Sequence, residues 1–129
     1  LYYDELFADI ENIITFDNWD QCLLKVLVKI HQEKDFYINT INTNEQYFYQ
    51  DLFNLAQKCF YDAITKLDSN YSVSTQEKNF FSEFYAYGIS GTVLHWIKTN
   101  MKIEPVKLAQ KLKKIATQSE IFAANLLKH

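Results

Sequence analysis

The chain has 129 residues, with 16 acidic and 13 basic side chains giving a net charge of −3, a size for one domain and not two. Hydrophobic residues make up 48 %, which excludes global disorder, and the acidic balance argues against nucleic-acid binding by this piece alone. Only two glycines and one proline occur, too few turn-formers for a sandwich, a barrel or a phosphate-loop enzyme, so an all-α domain spanning residues 1–129 is expected.

The first helix is expected over Tyr3, Leu6, Phe7, Ile10, Ile13 and Ile14, with Asp4, Glu5, Asp9 and Glu11 on its wet side. Because the chain opens on helix-like sequence at Leu1 instead of Met, a longer parent polypeptide is expected. A second helix starts at Asp17 or Asn18, whose side chains can accept first-turn N–H groups. Trp19, Cys22, Leu23, Val26, Leu27 and Ile30 form its apolar stripe, which fades at Gln32–Lys34. Residues 35–43 predict a short third helix, since no second strand exists to pair with them, and the polar run through Asn44 predicts a break.

The fourth helix is expected from about Glu45 to Leu67, with stripes on both sides that make it central. Asp68–Ser72 reads as a loop. The fifth begins at Ser74 or Thr75, where Glu77 can complete a capping box with Ser74. It runs to about Asn100 and is apolar nearly all round, so it needs cover on nearly all sides. The sixth begins at Pro105, a residue favoured in a first turn, and carries Leu108, Leu112, Ile115, Phe122 and Leu126. The expectation is a bundle of about six helices, without internal repeat or linker.

Both glycines, Gly88 and Gly91, fall inside the fifth helix, where each costs about 1 kcal/mol relative to Ala. Close helix approach or room for a ligand would offset that cost. A helix apolar all round in so small a domain predicts a homodimer in which the last two helices of each subunit form an intersubunit four-helix bundle. The residues assigned to that interface are Phe81, Phe84, Gly88, Gly91, His95, Leu112, Ile115 and Phe122.

Little in the chain suggests catalysis or metal binding. His31, His95 and His129 form no paired motif, and no C-x-x-C occurs. Cys22 and Cys59 read as buried reduced thiols. Asp51 and Asp62 are too far apart on one helix to work as a dyad. Ser90, in Gly88–Ile89–Ser90–Gly91, lacks the preceding strand of a nucleophile elbow. No cofactor, metal or enzyme activity is therefore expected. With no membrane span and no signal peptide in the sequence, a cytoplasmic protein is expected. The aromatic supply, 10 Phe and 9 Tyr, suggests an apolar pocket for a small effector, with Trp19, Cys22, Tyr37, Tyr49, Phe53, Phe60, Tyr85 and Trp96 as candidates.

The stretch from Phe80 to Ile97, with its aromatic start, Gly91 and Trp96 five residues on, resembles the penultimate helix of TetR-type transcriptional regulators from Firmicutes. Asn100–Ala109 is similar to the polar linker, Pro and Leu-Ala pair that follow it there, although Glu104 stands where Ser or Thr is usual. Tyr2–Phe7 resembles the helix after the DNA-reading domain, and Trp19–Ile30 with Phe36–Tyr37 keeps the family's helix order. The resemblance implies a C-terminal effector-binding and dimerisation domain whose N-terminal helix-turn-helix lies upstream and alone contacts DNA. Effector binding would then shift operator affinity. The alternatives are a helical protein–protein adaptor and a carrier of small hydrophobic molecules.

Overall fold

The computed structural model describes residues 17–68 and 72–128, with side chains to residue 118. The first expected helix, the side chains of Phe122 and Leu126, and His129 lie outside the described residues. Within them the chain is all-helical. It forms four helices: α1 (Trp19–Gln32), α2 (Lys34–Leu67), α3 (Thr75–Lys98) and α4 (Pro105–Lys128). The expected third and fourth helices meet within one element, α2, at the non-helical Asn44 (φ −140°, ψ 41°), the end of the polar run where the break was expected. Just before it, hydroxyls of the run serve the backbone. Thr40 donates to the Phe36 carbonyl at 2.9 Å and Thr43 to that of Asn39 at 3.0 Å. Such back-bonding bends a helix without stopping it.

In α1, Trp19, Cys22, Leu23, Val26, Leu27 and Ile30 are all buried, the stripe that the sequence spacing demanded. Each fully buried aliphatic chain contributes roughly 1.5–3 kcal/mol. Asn18 is the cap residue, but its side-chain oxygen accepts a long contact (3.8 Å) from the Cys22 thiol and no backbone N–H. α1 packs on α4, where Lys113 pairs with Asp20 at 3.0 Å. α2 runs along α3 over the largest contact in the fold.

Ser74 caps α3 as expected: its Oγ accepts from Glu77 N–H at 3.1 Å, and the Glu77 carboxylate accepts from the Ser74 hydroxyl at 3.2 Å in place of the Ser74 backbone N–H of a full capping box. The far end closes without glycine. Asn100 (φ 66°) and Met101 (φ 53°) are both left-handed. Met101 N–H reaches the Trp96 carbonyl at 2.8 Å and Asn100 N–H that of Ile97 at 3.2 Å, the two bonds of a Schellman turn. Asn tolerates that backbone well, Met less so. Burial of the Met101 side chain and the bond from Trp96 Nε1 to the Ile103 carbonyl, 2.8 Å long, hold the corner.

The side of α3 turned to the core is a seam of Ser82, Ala86, Ile89, Ser90, Val93, Trp96 and Ile97. Three large rings lie outward: Phe80 is 75 %, Phe84 65 % and Tyr87 56 % exposed. Within the protomer the two glycines leave open space. A Cβ at Gly88 or Gly91 would meet nothing within 4 Å.

Two outcomes follow from this packing. Ser90 Oγ is buried without a partner among the described residues, so Ser90→Ala should raise stability by about 1–3 kcal/mol, read as an increased melting temperature. After α2, buried Asp68 accepts from Val73 N–H, Ser72 N–H and the Ser72 hydroxyl, each at 2.9 Å. The Val73 bond above all, then those of Ser72 and nearby Lys78, hold its carboxyl below the ordinary 3.8, against the effect of burial. A lowered folded pKa gives stability that is present above the unfolded value and lost as pH falls through the folded one. The melting-temperature gap between wild type and Asp68→Asn should therefore be widest near neutrality and close in acid.

Candidate functional site

The rings of α1, α2 and α3 meet in a row. Trp19 of α1 lies 6.1 Å from Phe60 of α2, and Phe60 stacks on Tyr85 of α3 at 5.3 Å with planes 25° apart. Tyr85 in turn touches Phe81 at 4.8 Å and Phe84 edge-on at 5.3 Å. The row therefore leads from the interior to the exposed side of α3.

Two hollows flank this row. The inner one, about 30 Å³, is lined by Trp19, Cys22, Leu23, Val26, Leu52, Leu55, Ala56, Cys59, Phe60 and Ile89. The outer one, about 140 Å³, lies between α2, α3 and α4 and is lined by Phe60, Tyr85, Gly88, Ile89, Thr92, Leu112, Ile115 and Ala116. Neither lining holds a charged side chain. The only hydroxyls are those of Tyr85 and Thr92, and Thr92 donates to the Gly88 carbonyl at 2.6 Å.

Of the eight effector candidates, Trp19, Cys22, Phe60 and Tyr85 gather at these hollows. The other four do not. Tyr37 is buried against Phe36 at 5.1 Å and Phe48 at 6.2 Å. Tyr49 stacks on Phe53 at 6.3 Å, and Phe53 meets Tyr87 at 4.6 Å, a separate outer row. Trp96 anchors the α3–α4 corner and stacks on His31 at 6.4 Å. The sequence reading passed over Cys59, Leu52, Ile89 and Thr92 as site residues. Their signal was spacing alone: Leu52 and Cys59 share the buried stripe that holds Phe60.

Among the interface candidates, Phe84, Gly88, His95 and Ile115 are exposed, while Phe81 and Gly91 are half-buried. Leu112 is in the core and lines the outer hollow. Phe122 lies outside the described side chains. Among the described residues, no three His, Cys, Asp or Glu side chains come together to hold a metal ion, and no helix is long and apolar enough to cross a membrane.

Burial pushes the Cys59 thiol up to about 12, with Asp62 and Cys22 adding to the effect and Lys58 opposing it. Burial also raises Cys22, helped by Asp20 and opposed by Lys25. Both stay protonated, so they act as apolar wall and not as nucleophiles. At pH 8 the native Cys59 should react with a disulfide reagent on the order of a thousandfold more slowly than in the unfolded chain, from the thiolate fractions alone.

The family model for the transcriptional regulator C-terminal region of TetR type matches residues 17–118. No curated protein matches the chain.

Proposed function

This chain belongs to the TetR-type regulators, as their C-terminal region, and on that premise we propose that it is a homodimeric, effector-sensing domain that couples ligand binding to operator binding by a helix-turn-helix domain of the same regulator. Its role is binding, not catalysis, in the cytoplasm.

The outward side of α3 carries this reading. Phe80, Phe84, Gly88, Gly91 and His95 follow one another at steps of three and four, a single stripe along the helix. Three features coincide there: rings open to water, glycines with empty space over them, and Ile115 of α4, 58 % exposed, beside them. Two glycines inside a helix cost about 1 kcal/mol each, and nothing described in the protomer uses the space they leave. A second copy laid across this stripe covers the rings and closes over the space beside Gly88, with α3 and α4 of both subunits forming a four-helix bundle. The ring row from Trp19 to Phe84 supports the coupling, because it joins the hollows to the same stripe. Coupling requires that the effector bind two dimer states unequally.

The inner hollow of about 30 Å³ favours one other reading, a protein–protein adaptor with a filled core and no effector. A thermal-shift screen separates the two, since a ligand that binds the folded state stabilises it by mass action.

Sedimentation equilibrium at micromolar concentration tests the dimer. The wild type should run at twice the protomer mass. Phe84→Glu should weaken association at least about tenfold, a loss of 1.4 kcal/mol or more, with helix content unchanged. Gly88→Ala and Gly91→Ala should stabilise the protomer by up to about 1 kcal/mol each while weakening the dimer. A wild type that stays monomeric rejects the reading.

A further inference from the structure

The two hollows share a wall. Phe60 and Ile89 line both. Cys59 lines only the inner one, and Ile115 only the outer one. An engineered core cavity of about 150 Å³ holds one benzene ring. By that measure the outer hollow, about 140 Å³, takes one ring, and the inner, about 30 Å³, takes none. We propose that the two hollows are halves of one effector chamber with the Phe60 ring as its gate, and that the ligand is a flat, uncharged, two-ring aromatic molecule bearing at most one hydroxyl. The inference rests on the effector-sensing reading above and adds the gate and the ligand class.

The lining selects that class. A charged ligand would find no counter-charge, since neither hollow has an ionised wall. Burial keeps the two thiols of the inner hollow neutral. The walls that touch the gate are themselves rings, Trp19 on one side and Tyr85 on the other. A flat aromatic ligand restores the stacking that Phe60 gives up when it swings aside. At the outer end, the Thr92 hydroxyl spends its proton on the Gly88 carbonyl, so it is left as an acceptor for a hydroxyl on the ligand.

A gate that is mostly shut lowers apparent affinity by the fraction of molecules that are open. A smaller gate therefore binds more tightly. The displaced ring bears on Tyr85, which touches Phe81 and Phe84, so an occupied chamber alters the stripe assigned above to the partner subunit.

The test uses the 129-residue chain and 2-naphthol, with 2-naphthoate as its charged counterpart. One bound naphthol should give nuclear Overhauser contacts both to the Cys59 β-protons and to the Ile115 methyls. Phe60→Leu should tighten its binding severalfold, and naphthoate should bind at least about tenfold more weakly than naphthol. If Phe60→Leu fails to fold, Ile89→Val thins the same wall and should act in the same direction. Contacts to Ile115 alone, or an affinity that neither wall variant changes, overturn the gate. Equal binding of naphthoate overturns the ligand class. If naphthol binds neither the wild type nor a wall variant, the chamber falls. A dimer still seen by sedimentation would leave the regulatory reading standing, whereas a monomer would remove both.

Discussion

The domain depends on the seam where α2 lies along α3. Ser82, Ala86 and Ser90 present little side chain to α2, so the two helices can approach along their length while α2 supplies the bulk, with Phe48, Leu52 and Phe60 buried on its side. Small residues set against large ones let the two helices pack closely. It also fixes the rotation of α3 about its own axis. Once the small residues face inward, Phe80, Phe84 and both glycines must face away from α2. The bare stripe is thus a geometric result of the seam, and so is the position of Tyr85, on the flank between the two, where it meets Phe60. The outward stripe, the row of rings and the two hollows share one cause.

The corner after α3 does the complementary work. Its two left-handed residues and the indole bond of Trp96 turn the chain sharply into α4. α4 then packs on α1, so α1 and α2 are held from both ends of the chain's second half. The outer hollow lies where α4 leaves the α2–α3 pair, and Leu112, Ile115 and Ala116 form its third wall.

Much of this was legible in the sequence where one signal acted alone. The α1 stripe, the Ser74–Glu77 cap and the Pro105 start need only spacing and local hydrogen bonding, and each stands as read. The signal was weaker where the pattern allowed several answers. In α3 apolar residues all round left the core side open, and it falls partly on Ser82, Ala86 and Ser90, which carry no hydrophobic mark. At Asn39–Asn44 the polar run marked the break, which the structure narrows to the one non-helical residue Asn44. The site was half legible for a related reason. A stripe tells which side of a helix is buried but not what it is buried against. So Phe60 could not be told from Tyr49 and Phe53 on the same helix, nor Tyr85 from Tyr87, the three that build a different row.

The kink at Asn44 divides α2 into two rods of unequal duty. The stretch beyond it carries the gate, the seam and the loop-anchoring aspartate, and the stretch before it carries Tyr37 and Ile41, buried in the core. The half-exposed ion pair from Lys98 at the end of α3 to Glu45, one residue past the bend, ties the start of the second rod to α3. Buried Ile41 before the bend and buried Phe48 beyond it belong to the same core, so both rods are seated in one cluster.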